Sequence, residues 1–479
     1  MAHWALLFFF TSPGWAAPSF VPEGGLRLSS AAIQAATGSY PSLRVYYIRN
    51  NSQVFSAITS DGSDFVQDAG VRLSSQTAPA LDIAVSSITG LSILPLNAGG
   101  FRMLYSVIGS TGAFRIYSAT SADGLAWANA TGTAVNVDNG QTFAQFPSLT
   151  ELSSGDWRLY YIQNSTFGDQ AANHQVFSAL SANEGLNFST GSAVVAAQAG
   201  QAAATLLTNN KVRVLYTAPL SGDTTNTTVL SALSTNINGS VFTLESGTRY
   251  STPPALGALS LPCVTRSTDS FRWRLYYGVS PSSDVFSAVT DAPDPQNLAP
   301  SAAFTNGGVI AFTILGEIFS AGPGALLRQA GQSDITGTSV SRSDDQTITV
   351  NFDVRGKFPG FWDLVVTNAS GTSGTLRNAL FLDYQAGDLT LLDNLIRPRE
   401  GTRTKANVSI SIAGRVTLEV FTITGEPIGT LLDSELPAGA YSVFWDGKTA
   451  SGYAAASGLY VLRAKGPKLD ATRKIVVIK

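Results

Sequence analysis

Short runs of alternating apolar and polar residues, broken by Gly, Asp, Asn and Ser, follow one another along almost the whole chain. Such runs predict strands with one buried face, and the breaks predict tight turns. Between residues 25 and 292 the runs repeat. The string Arg-x-[Tyr/Leu]-Tyr stands five times, as Arg44-Val-Tyr-Tyr47, Arg102-Met-Leu-Tyr105, Arg158-Leu-Tyr-Tyr161, Arg213-Val-Leu-Tyr216 and Arg274-Leu-Tyr-Tyr277. A second string follows each one: Val54-Phe-Ser-Ala57, Ile116-Tyr-Ser-Ala119, Val176-Phe-Ser-Ala179, Val229-Leu-Ser-Ala232 and Val285-Phe-Ser-Ala288. Turn residues such as Ser60-Asp-Gly62 and Ala122-Asp-Gly124 come next, then an aromatic, Phe65 or Trp127.

Each unit reads as four strands joined by turns, and Asp-Gly between β-formers is a strong hairpin signal. A repeat of 50–60 residues with four short strands marks a propeller blade. Five copies predict a five-bladed β-propeller over residues 25–295. Its closure is legible too. Blade one ends in Gly70-Val-Arg-Leu-Ser-Ser75, and nearly the same string precedes it as Gly25-Leu-Arg-Leu-Ser-Ser30, whereas blade five lacks one. Residues 25–30 are therefore expected to close the ring as the outer strand of blade five, burying Leu26 and Leu28.

The pattern changes near residue 300. Val309-Ile-Ala-Phe-Thr-Ile-Leu-Gly316, Thr347-Ile-Thr-Val-Asn-Phe-Asp353 and Gly360-Phe-Trp-Asp-Leu-Val-Val-Thr-Asn368 alternate as strands of a β-sandwich over 300–386. The last of these resembles the IPT/TIG immunoglobulin-like family. A further unit, 388–479, carries Trp445-Asp-Gly447, Ser457-Gly-Leu-Tyr460 and a terminal strand Arg473-Lys-Ile-Val-Val-Ile478. It resembles the C-terminal immunoglobulin-like domain of flagellar hook-capping (FlgD-type) proteins, and it is similar to type IX secretion sorting domains. The resemblances imply a spacer, sorting or anchoring module. The fold class expected is all-β: a five-bladed propeller followed by two immunoglobulin-like sandwiches.

Composition narrows the chemistry. Charged residues are 13% of the chain against a usual value of about 25%. The net charge of −3 comes without a basic run, which argues against a nucleic-acid partner. Residues 1–17, with the apolar run Trp4 to Phe10 and the small residues Ala16 and Ala17, read as a signal peptide. No other segment is long and apolar enough to span a bilayer, so a secreted or cell-surface location is expected. Cys263 is the one cysteine, and His3 and His174 are the only histidines. Cys263 reads as a small buried hydrophobe on a strand. Neither a disulfide, a zinc cluster nor any cofactor is expected. The eight Asn-x-Ser/Thr sequons, among them Asn164 and Asn368, read as exposed turns.

The repeat resembles the propellers of family 43 and family 32 glycoside hydrolases, which implies paired carboxylates on the innermost strands. Those strands are expected to begin near Ala31-Ala32, Thr89-Gly90, Phe146-Pro147, Gln201-Ala202 and Leu261-Pro262, and none of these places holds Asp or Glu. Asp82, Asp138 and Glu151 are the nearest acids. No catalytic, cofactor or metal residue is assigned. Ser121-Ala-Asp-Gly-Leu-Ala-Trp127 resembles the Asp-box of sialidase-type propellers, a side-chain-capped turn of the fold and not a site. The five arginines read as structural ion pairs or blade-edge contacts, and their neighbouring tyrosines as inter-blade packing. The chain reads as a secreted or surface binding protein with carbohydrate or a cell-surface protein as partner. The rival readings are a glycosidase using acids such as Asp82 or Asp138, and a structural surface or appendage component.

Overall fold

The computed structural model describes residues 19–38, 42–75, 83–129, 135, 143–164, 173–195, 198–219, 226–251, 258–267, 272–279, 284–305, 308–384 and 386–479. The molecule is all-β. Five antiparallel sheets come first, and each is a blade of a propeller-like ring. Their innermost strands are Ala32–Thr37, Val85–Pro95, Gln145–Glu151, Ala202–Leu206 and Leu259–Ser267. These five contact one another in a closed circuit, the first against the last. The expected strand starts all fall within these strands or next to them.

The second strand of each blade carries the arginine string. It is sandwiched between neighbouring blades, so it buries both faces: every residue of Trp157–Asn164 is buried. Tyrosine fits such a strand because its ring fills the gap while its hydroxyl finds a partner. Tyr46 donates to the Gly124 carbonyl of the next blade at 2.9 Å, Tyr160 to Gly239 at 2.8 Å, and Tyr276 to Gly62 at 2.8 Å. The accepting glycines lie in the Asp-Gly-type turns. Gly124 has φ +76°, and a Cβ there would stand 2.6 Å from the Tyr46 hydroxyl. The turns cap themselves: Asp123 Oδ1 accepts from the Leu125 and Ala126 amides, and Asp61 Oδ1 from those of Ser63 and Asp64.

The ring closes slightly upstream of the expected place. Val21–Pro22 pairs with Val289 and Ala288, the Glu23 amide donates to the Ser287 carbonyl, and Leu28 adds a single bridge to Val285. Leu28 is buried but Leu26 is half exposed, contrary to the expectation that both are buried. The reason is a shared outer edge. In blades one, four and five a short strand ends in an acid, a glycine turn follows, and an arginine leads back to the sheet. The three edges are Val66-Gln67-Asp68 to Arg72-Leu73, Phe242-Thr-Leu244-Glu245 to Arg249-Tyr250, and Val21-Pro22-Glu23 to Arg27-Leu28. Gly25, at φ +93°, interrupts the third edge, so the string at 25–30 is only its second half.

Two sandwiches follow. In the first, Phe312 and Ile314 oppose Val350 and Ile348 in one sheet, and Trp362, Leu364 and Val366 enter the same core from the other. The second packs Val416, Leu418 and Val420 with Leu462, Ile475 and Trp445. The first sandwich begins with Asp294–Ala299, whose first two residues were expected to belong to the ring, because this strand pairs with Val309–Glu317.

Ring and first sandwich are joined by buried and partly buried polar contacts. Arg213 of blade four meets Asp294 at 2.7 Å, and Arg266 of blade five meets Glu317 at 3.0 Å and Asp345 at 2.6 Å. Glu317 also accepts from the Thr208 amide at 2.9 Å and from its hydroxyl. Burial pushes the Glu317 carboxyl above its ordinary value despite Arg266 and Thr208. Asn368, read as an exposed sequon, is 4% exposed: its Nδ2 donates to the Asp291 and Ile318 carbonyls at 2.7 and 2.8 Å. Ile318 sits at φ +60°, a strained conformation for a β-branched residue.

Candidate functional site

The hub of the ring encloses a cavity of about 160 Å³ lined by all five innermost strands. Bulges shape its wall. The ladders between first and second strands shift register at Gln34, at Thr89, at Phe146-Pro147 and at Leu261-Pro262, in four of the five blades. A bulge turns a side chain away from its alternate face, and bulges are common beside functional sites. Phe146 takes φ +53° to do so. Gly90 lets the second and third blades close on each other, since a Cβ there would lie 3.0 Å from the Phe146 Cα.

Serines stitch the wall. Ser92 Oγ accepts from the Leu149 amide at 2.8 Å and Ser148 Oγ from the Ala204 amide at 2.9 Å, each across a blade boundary. Gln34 lines the same space, and its amide nitrogen is buried without a hydrogen-bond partner. Among the described residues lining the cavity there is no Asp, Glu, Lys, Arg or His. Cys263 does line it. The thiol is 6% exposed and burial pushes it up to about 12, so it is protonated at neutral pH.

The acids named from the sequence are not brought together at this cavity. Asp82 and Asp138 lie outside the described residues, as does His3. Glu151 is exposed at the far end of its hub strand, opposite Trp157. His174 stands at the start of a third strand, its ring 4.5 Å from that of Phe143, and it faces Asn164 in the ladder. Asn164 is 6% exposed, with neither side-chain atom bonded, so this sequon also is no exposed turn. Among the described residues no group of three or more His, Cys, Asp or Glu could hold a metal ion.

Four of the five arginines are buried in the blades, away from the hub, and Arg44 is partly buried. Arg44, Arg213 and Arg274 pair with Asp68, Glu245 and Glu23 at 3.0, 2.9 and 2.8 Å. Arg102 and Arg158 instead donate to Ser118 and Ser178 at 3.0 and 2.9 Å. The acids of the first group were missed in the sequence, although Asp68, Glu245 and Glu23 share a signal: each stands two residues before a glycine and four before an arginine.

A family model for the FlgD Ig-like domain matches residues 396–469, within the second sandwich. No curated protein matches the chain. Among solved structures, a thermostable family-43 glycoside hydrolase is similar at 16% identity and a TM-score of 0.45, covering 57% of this chain and 91% of that one. The GH43_1 enzyme from Xanthomonas citri complexed with xylose gives 12% and 0.43, over 57% of this chain and 89% of that one. A family 43 arabinoxylan arabinofuranohydrolase from Bacillus subtilis, in complex with cellotetraose, gives 11% and 0.44, over 95% and 97%. No helix among the described residues is long and apolar enough to cross a membrane.

Proposed function

We propose that this chain is an exported binding protein whose ring is a five-bladed propeller holding a small neutral polar ligand, a sugar residue, at its hub. The observation that carries the reading is the hub cavity itself. About 160 Å³ corresponds to roughly five waters at about 30 Å³ each, the scale of a single sugar ring. Its polar groups are uncharged. The unpaired Gln34 amide offers a donor, and the Ser92 and Ser148 hydroxyls still have protons to give. Hydroxyl-rich neutral ligands match such a wall, because each buried polar group gains a partner on binding.

Glycosidic cleavage calls for a proton donor and a second carboxylate flanking the bond. A cavity wall of amides, serines and a protonated thiol favours binding over cleavage. The two sandwiches would then serve as stalk and as a sorting or surface-attachment module. The test is calorimetric titration of the full chain with neutral mono- and oligosaccharides, alongside Gln34→Leu and an assay for released reducing sugar. Binding weakened at least tenfold by Gln34→Leu, with no sugar released, is expected. No binding to any sugar defeats the reading, and released sugar that is lost with Asp82→Asn or Asp138→Asn would install the glycosidase in its place.

A further inference from the structure

Arginines occupy one equivalent place in all five blades, and three of them meet a carboxylate in the same way. In blades one, four and five a single carboxylate oxygen takes two donors, the arginine Nε and the hydroxyl of a facing serine. The pairs are Arg44 with Ser56 at 3.0 and 2.6 Å, Arg213 with Ser231 at 2.9 and 2.7 Å, and Arg274 with Ser287 at 2.8 and 2.7 Å. The carboxylates are Asp68, Glu245 and Glu23, each directly across the outer ladder from its serine.

Blades two and three keep the donors, but among the described residues no acid bonds to them. Ser192 stands across from Ser178 in blade three. In blade two the ladder runs to Asn129 opposite Ala119, and the next residue, Ala130, lies outside the described residues. The Nε atoms of Arg102 and Arg158 are buried with no hydrogen-bond partner, in residues only 6% and 7% exposed. The serine hydroxyls they face, Ser118 and Ser178, are buried too and accept from the arginine Nη1. Burial pulls both guanidinium groups below their ordinary value. Glu184 and Asp156 act on Arg102 and Arg158 through charge alone, and neither offsets the burial. A buried cation without a bonded carboxylate is costly, and in three sibling blades the chain supplies one.

We propose that Arg102 with Ser118, and Arg158 with Ser178, each bind a small monovalent anion of the halide class where the other blades place a carboxylate oxygen. Two N–H and O–H donors converge on that point, which calls for an acceptor. The residues are too buried for an extended ligand, and a serine in place of an acid, as at Ser192, frees only about the space of a carboxyl group. A single-atom anion meets both conditions.

Crystals of the full chain soaked in sodium bromide should show anomalous peaks within hydrogen-bond reach of both Nε atoms. The melting temperature should rise with sodium chloride or bromide more than with sodium gluconate at equal ionic strength. Ser192→Asp rebuilds the blade-one arrangement. It should raise the melting temperature by roughly 2–4 °C and lower the halide dependence while leaving the Arg102 bromide peak in place. Water in place of bromide at both arginines would overturn the proposal, as would gluconate and chloride acting equally, or a halide dependence unchanged in Ser192→Asp. Should that variant fail to fold, the bromide experiment on the unaltered chain decides alone.

Discussion

Tyr276 of the fifth blade donates its hydroxyl to the Gly62 carbonyl of the first at 2.8 Å, a bond between residues 214 positions apart. It belongs to the same series as Tyr46 with Gly124 and Tyr160 with Gly239, but it alone of the three joins the two ends of the ring. Arg274 strengthens the seam by donating to the neighbouring Asp61 carbonyl. Replacing Tyr276 by phenylalanine removes one donor and leaves a carbonyl unpaired in a buried seam. The expected cost is about 1–3 kcal/mol, read as a lower midpoint in chemical denaturation with an unchanged slope. A midpoint equal to that of the unaltered chain would mean that the seam is held by packing alone.

Glu23 makes the same seam sensitive to acid. Burial raises its pKa, but bonds from Arg274 and Ser287 and the nearby Arg27 outweigh that, and the net shift is downward. A carboxyl whose folded value is depressed contributes stability in full above its unfolded value, about 4.3, and loses it as pH falls through the folded value. The melting temperature should therefore drop as the pH goes below about 4. Glu23→Gln should melt lower at neutral pH, because it removes the Glu23 carboxylate from the buried Arg274, and its acid limb should be flatter. Parallel limbs for the two proteins would remove Glu23 from the account.

The repeat was legible because it states each strand five times, and the sandwiches because Trp362, Leu364 and Val366 alternate openly. The closing edge was half legible. Its second half, 25–30, copies blade one, whereas Val21-Pro22-Glu23 contains a proline and is too short to read as a strand. What makes it one is tertiary: Glu23 must face Arg274 and Ser287 across 251 and 264 residues. Asn368 and Asn164 show the same limit, since a sequon looks alike in an exposed turn and in a buried junction. Asp294-Pro295 read as the end of the ring, yet it opens an edge strand of the sandwich, where proline is tolerated. The hub strands were located from the repeat arginines, but nothing in one blade's sequence reveals that Gln34 sits in a bulge facing the axis.

Asn368 governs the junction between ring and first sandwich. One amide nitrogen satisfies both the Asp291 and Ile318 carbonyls, and its oxygen accepts from the Ser320 amide at 2.9 Å. These bonds hold Ile318 in a backbone conformation that costs about 1–3 kcal/mol by itself. Asn368→Ala should thus destabilise by about 2–4 kcal/mol, combining unpaired buried groups with the unrelieved strain. Ile318→Gly in that background should recover part of the loss, since glycine adopts φ +60° freely. A double variant no more stable than Asn368→Ala, in calorimetry on the full chain, would separate the amide from the strain.

Cys263 offers a chemical gauge of the hub. It faces the cavity, yet its apolar surroundings disfavour the thiolate and push its pKa up to about 12. The reactive species in alkylation is the thiolate, so the native chain should resist iodoacetamide at pH 8, and the unfolded chain should be labelled quickly. The same shift acts on stability. A folded acid that holds its proton up to about 12 keeps one that the unfolded chain releases near 8.5, so stability falls as pH rises between those values. Cys263→Ala removes this contribution and leaves every tyrosine in place. The melting temperature of the variant should decline less steeply above pH 8.5. Rapid labelling of the native thiol, together with identical alkaline slopes, would mean that water reaches the hub wall freely. The cavity would then be too open to desolvate the polar groups of a ligand.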